Sequence, residues 1–369
     1  MNIKSTFNIL FCASVVSAEG SLVPPPSRLR SIVMSLRRFF FIVLLISIFF
    51  PVFAQTEESF HSDERVPRSF FQNYTIALST SAGALLGRSE EIVFWGESDT
   101  YLSQLLWDML PVWYFGVSFE LAPANELFQN DFFLMLSLQS GLPGKSGVMQ
   151  DRDWMPGSQT FSGELTDFSE HTNKTRGLFM LEAKTGWNFP LDHSLALRPY
   201  LNLSYYYFSF AAQDGYGKYK NSNWQNKPFY GEVITYTQIF FALSPGISAL
   251  LPFGKFGIEW FGHAGYVLFF GDEDNHITTK TQYLDSASKG LLIGTGIKFS
   301  IQFGMRFQCS LSAGYTNISL VRGHATARST DTGKTKPQGE IAGAGLSLFN
   351  CALTFTFFNE PPQSRSPGY

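Results

Sequence analysis

Two short stretches of the chain concentrate acids in patterns that can do chemistry. The first is Asp151-Arg152-Asp153-Trp154-Met155 and the second is Asp272-Glu273-Asp274-Asn275-His276. In extended backbone, residues i and i+2 point to the same face, which pairs Asp151 with Asp153 and Asp274 with His276. An aspartate beside a histidine orients the imidazole and stabilises its charged form, half of a general-base arrangement. A second carboxylate pair across a cleft would hold the attacking water. Taken singly, each motif also fits a plainer account: Asp-x-Asp is equally a solvated loop or a loose calcium site, and Asp274 with His276 a surface histidine. His171 and His276 are the histidines with acids close by, which is not a zinc ligand set, so no metal is expected. His61, His193, His263 and His324 have no assigned role.

The composition limits the elements that could bring these stretches together. The 369 residues are 44% hydrophobic and 16% aromatic but only 15% charged, against about 25% charged in an average soluble domain. So apolar a chain is not disordered. Past residue 54 no apolar run approaches the roughly 20 residues of a membrane helix, which excludes a helical membrane protein. A large soluble β-protein and an outer-membrane β-barrel remain.

A basic start at Met34, the apolar run 39–50 and Ala54 before Gln55 read as a secretory signal peptide over 34–54, with 1–33 an upstream extension. Residues 55–72 form an N-terminal segment, 73–358 the folded domain, and 359–369 a Pro- and Ser-rich tail. Without residues 1–54 the chain has 22 basic and 29 acidic residues, a net charge of −7, so nucleic acid is not expected as a partner. Beyond the leader only Cys309 and Cys351 remain, which gives no disulfide framework.

Alternation of period two is marked. Leu291, Ile293, Ile297, Phe299, Ile301 and Phe303 alternate with Leu292, Gly294, Gly296, Lys298, Ser300 and Gln302. Residues 195–207 and 350–357 repeat the pattern. Alternation alone leaves a soluble sandwich open, but the segments run to about 13–20 residues where soluble strands have five or six. Ten strands are expected, near 73–87, 101–120, 128–142, 173–188, 194–212, 232–251, 256–270, 288–303, 305–321 and 339–358. Short connections alternate with long polar ones at 88–100, 143–172, 213–231, 271–287 and 322–338. The expected fold is therefore an all-β, ten-stranded antiparallel transmembrane β-barrel with long extracellular loops. On this reading both acidic stretches lie at the long-loop rim.

Asp151-x-Asp153-Trp154-Met155 together with Asp274-x-His276 resembles the omptin family of outer-membrane endoproteases. Further blocks are similar to that family in the same order: Gly83-Ala84-Leu85-x-Gly87-x-Ser89-x-Glu91, Ser103-Gln104-Leu105-x-Trp107 and Thr166-Asp167-x-Ser169-x-His171. The resemblance covers residues 73–358.

It implies an endopeptidase in the bacterial outer membrane, facing outward, that acts without a covalent intermediate. On it His276 is the general base, Asp274 orients and balances it, Asp151 holds the water across the cleft, and Asp153 supports the water and the developing oxyanion. Glu91 and Asp272 would select Arg or Lys before the scissile bond, and Asp167 the residue after it. Partners are then peptides or proteins with basic residues, and outer-membrane lipid. No cofactor is implied beyond a requirement for lipopolysaccharide or another outer-leaflet lipid, although residues 233–252 contain no Lys or Arg to grip lipid phosphates. The rival reading is a non-catalytic barrel acting as adhesin or porin. About ten strands give an interior too narrow for a porin, and an adhesin has no chemical use for His276 opposite two acids.

Overall fold

The computed structural model describes residues 74–95, 100–123, 130–155, 163–192, 194–304 and 306–359. The expected signal peptide, upstream extension and N-terminal segment, and all but the first residue of the tail, lie outside these residues. Twelve strand segments account for most of the described chain. They are β1 (Tyr74–Phe94), β2 (Tyr101–Pro123), β3 (Asp131–Gly141), β4 (Gly144–Asp153), β5 (Asp167–Asp192), β6 (Leu195–Tyr219), β7 (Lys227–Phe253), β8 (Phe256–His276), β9 (Thr281–Ala287), β10 (Leu291–Phe303), β11 (Phe307–Ser329) and β12 (Thr335–Phe358).

Each strand pairs antiparallel with its neighbours, and β1 bonds both β2 and β12, so the ladder closes into a ring. Closure leaves no unpaired sheet edge. β3 and β4 both lie between β2 and β5, while β9 and β10 both lie between β8 and β11. Twelve segments therefore occupy about ten positions in the ring.

The side chains are arranged inside out relative to a soluble sandwich. Leu291, Ile293, Phe299 and Phe303 of β10 are exposed while Leu292 is buried, and Trp113, Phe115 and Val117 of β2 are exposed around a buried Tyr114. The odd positions of 291–303 thus face outward, as the alternation predicts. The interior instead carries ion pairs: Arg198 Nη1 lies 3.4 Å from Glu120 Oε1, Arg198 Nε donates to Asn188 Oδ1 at 3.1 Å, and Lys298 pairs with Glu259.

Toward the end that carries Asp151 and His276, the interior turns apolar and aromatic. Trp107, fully buried, stacks on Tyr236 at 5.4 Å and on Phe210 at 5.7 Å between ring centroids. Such ring pairs add about 0.5–1.5 kcal/mol each beyond the area they bury. Met149, Phe208, Phe240 and Phe270 complete this plug, which forms a packed floor under the rim.

Two local irregularities follow from residue type. Gly87 lies so close to β12 that a Cβ there would sit 2.0 Å from the Ser347 carbonyl oxygen, which accounts for one glycine of the block from Gly83 to Glu91. The β1–β2 register shifts between Leu85 and Gly87, opposite the stretch of β2 that contains Pro111, as expected where proline cannot donate to a ladder.

The strands reach much farther than the sequence pattern indicates. Residues 143–172 and 271–287, expected as loops, contain β4, the start of β5, the end of β8 and all of β9. A strand of 26 residues such as β5 at about 3.3 Å per residue and about 40° tilt rises about 65 Å, against an apolar band of about 25 Å. Beyond that band neither outer nor inner face has to be apolar, and alternation fades although the hydrogen-bond ladder continues.

Candidate active site

The ladder registers assemble the site in rows. Residues directly opposite on paired strands share a face, so Glu91 of β1, Leu105 of β2, Asp151 of β4 and Ser169 of β5 form one row. One step higher, Ser103, Asp153 and Asp167 form the next. On the other wall, Gln238, Asp272 and Asp285 form a row across β7, β8 and β9, and Tyr236, Asp274 and Tyr283 form the row above it. His276 follows, opposite Ile234 and Thr281. Asp151, Asp153, Asp274 and His276 are therefore strand residues held at both sides by backbone bonds, which corrects their expected placement in a loop or past a strand end.

His276 Nε2 lies 2.6 Å from Asp274 Oδ2, and the imidazole meets the Tyr283 ring edge-on at 5.4 Å. With Nε2 committed to Asp274, Nδ1 is the nitrogen left to exchange a proton. Asp274 is buried while His276 is partly open, so the carboxylate supports the ring from beneath. Burial disfavours the charged imidazole, but the Asp274 carboxylate and its hydrogen bond, with Asp151 and Asp153 across the cleft, outweigh it and bring the pKa up to about 9. Burial and the adjacent Asp153 push Asp151 well above the usual carboxylate range, with His276 opposing. Burial raises Asp153 to about 6 against a hydrogen bond from Ser103. Asp167, half-buried, stands beside Asp153 and is raised by burial.

A second acidic group lies beneath the histidine. Glu91, Asp272 and Asp285 are buried with carboxylate oxygens within 4.8 Å of one another. Glu91 and Asp272 are thus brought together as the sequence reading expects, whereas Asp285 was missed. Tyr236 was missed as well; its hydroxyl donates to Asp272 Oδ2 at 2.9 Å. His171 is no part of either group, since Nε2 engages Ser169 Oγ at 2.8 Å and Nδ1 the Asp214 carbonyl.

A family model described as the Omptin family matches residues 72–358. The chain belongs to the omptin family. Among solved structures it is similar to the outer membrane protease OmpT from Escherichia coli, with a TM-score of 0.67 and 17% identity over 80% of this chain and 100% of that one. Weaker likenesses include the transport unit of the autotransporter AIDA-I from Escherichia coli (TM-score 0.34, 8% identity, 81% of this chain and 93% of that one). Another is the translocator domain of the autotransporter NalP from Neisseria meningitidis (TM-score 0.33, 8% identity, 80% and 90%). No match was found among curated proteins. Omptin membership and the shared all-β fold support an outer-membrane protease.

The charge state of this omptin site gives an expected pH profile. An imidazole with a pKa of about 9 is protonated at neutral pH and serves as a base only in its neutral form. Its neutral fraction, and with it kcat/KM, should rise about fifty-fold between pH 7 and 9 and then level off. Burial and the nearby Asp274 raise Asp285 to about 7. A stopped-time peptide assay across pH 6–10 reads the rise in kcat/KM directly; a flat profile over that range contradicts the assignment of His276 as base.

Proposed function

We propose that this omptin is an endopeptidase of the bacterial outer membrane that hydrolyses peptide bonds after basic residues, with its acidic rim outside the cell. The observation that carries the reading is the His276–Asp274 pair at 2.6 Å, set electrostatically against Asp151 and Asp153. Water held by Asp151 attacks the scissile carbonyl carbon as His276 Nδ1 takes its proton. Asp153, facing the same way two residues on from Asp151, helps to hold that water as the oxyanion develops. His276 then returns its proton to the amide nitrogen, the C–N bond breaks, and acid and amine leave. Asp274 keeps the ring aligned throughout. Neither a nucleophilic side chain nor a bound cofactor has a step in this sequence.

Refolded protein incubated with fluorogenic peptides containing Arg-Arg, Lys-Arg or neutral pairs tests the proposal. Cleavage of the basic peptides that resists serine- and thiol-directed inhibitors and chelators is expected. Activity lost in a chelator and restored by zinc would refute the water-activation scheme.

The same reading makes the ring a ten-stranded transmembrane barrel, surrounded by outer-leaflet lipid such as lipopolysaccharide. Residues 233–252 still offer no cation to a lipid phosphate. Phe303, Phe307 and Phe357 form an exposed aromatic row at one end, where an interfacial girdle belongs. Leu311, exposed and flanked by Leu353 and Phe299, lies about 10 Å above it by strand rise and tilt, near mid-membrane. Leu311→Arg should therefore cost about 2–4 kcal/mol of folding stability in lipid vesicles, read from urea titration of the refolding yield. A neutral or stabilising outcome would argue that this face meets water.

A further inference from the structure

Three carboxylates, not two, converge beneath the catalytic histidine, and their hydrogen bonds divide the work unevenly. Both oxygens of Asp272 are already engaged: Oδ2 accepts from the Tyr236 hydroxyl at 2.9 Å and Oδ1 from the Asp285 backbone N–H at 3.2 Å. Glu91 Oε2 and Asp285 Oδ1, by contrast, are buried without a protein hydrogen-bond partner. These residues are only 2% and 5% exposed, and no ion pair among the described residues involves any of the three acids. Unpaired buried carboxylate oxygens are costly, and completing them with a charged donor returns that cost.

The geometry points to Asp285 as a third specificity-determining residue, which together with Glu91 directly grips the basic side chain of a substrate while Asp272 mainly holds the pocket in shape. This rests on the protease reading above and deepens it. A guanidinium presents its N–H donors as a flat fork, which suits two carboxylates on opposite walls that approach within 4.8 Å of one another and each keep an unpaired oxygen. The placement is built into the fold. Asp285 faces Asp272 across the β8–β9 ladder, and Glu91 enters from β1 on the far wall. Burial and like charge raise all three acids, so an arriving cation replaces retained protons rather than meeting a fixed triple charge.

The test compares two peptides identical except for arginine or its neutral isostere citrulline before the scissile bond. With wild-type protein the arginine peptide is favoured. In Asp285→Asn the arginine-to-citrulline ratio of kcat/KM should fall 10- to 100-fold, and Asp285→Glu should recover part of it. A parallel loss on both peptides would mark Asp285 as merely structural and overturn the assignment, as would no loss. Calorimetric binding of the same peptides to His276→Ala protein, with and without Asp285→Asn, decides the matter independently of turnover. If wild type cleaves nothing, the protease reading fails. The grip assignment then stands on whether Asp285→Asn abolishes the preference for arginine in binding, and equal binding of both peptides before the substitution overturns it.

Discussion

Substituting His276 with Ala should leave the barrel folded and lower kcat on a basic peptide by about 10²- to 10⁴-fold, the contribution of a positioned general base. The reason is local. His276 ends β8 and is partly open, so its removal creates no internal cavity, and the ladder below it from β7 to β9 is untouched. Asp274→Asn should produce a loss of similar order by a different route. An amide cannot stabilise the imidazolium that forms during attack, and the bond at 2.6 Å loses its ionic component. The two losses should not add, because both variants disable one unit. Steady-state kinetics on the single and double variants, with heat-modifiable gel migration as a folding check, distinguish this from general damage. Additive losses would contradict the pairing.

The second large effect concerns discrimination. Glu91→Gln combined with Asp272→Asn removes two of the three buried carboxylates at nearly unchanged side-chain size, with the new amide oxygen accepting from the Asp285 N–H and its amino group donating to the Tyr236 hydroxyl oxygen. Truncating one member of a desolvated charge pair typically costs about 2–5 kcal/mol, so the preference for an arginine peptide over a neutral one should drop by roughly 30- to 4,000-fold. The double variant should also fold at least as well as wild type, since burial and mutual repulsion oppose ionisation of these acids. A specificity constant ratio unchanged by the double variant would show that the basic side chain is bound elsewhere.

Much of this arrangement was legible in the sequence, and the parts that were not have physical causes. Outward-facing Leu291, Ile293 and Phe299 could be read from alternation because lipid enforces it on the outer face. The spacing Asp274-x-His276 could be read because a strand places i and i+2 together, and the structure brings those side chains within hydrogen-bonding distance. Beyond the apolar band that signal is lost, so β4 and β9 looked like polar loops. With β9 taken as a loop, Asp285 had no partner. The signal that would have found it is hairpin symmetry: His276 pairs with Thr281 around a four-residue turn at 277–280, which sets Asp272 opposite Asp285. Tyr236 was hidden for another reason. It lies in the expected strand 232–251 with no motif around it, and only the register against Asp274 and the hydroxyl bond to Asp272 reveal its role.

The most direct measurement is mass spectrometry of an Arg-Arg peptide after incubation with refolded wild-type and His276→Ala proteins side by side. The account predicts two fragments, separated at the bond that follows an arginine, from the wild type, and an essentially intact peptide from the variant over the same interval. An intact peptide with both proteins, or equal cleavage by both, would contradict it.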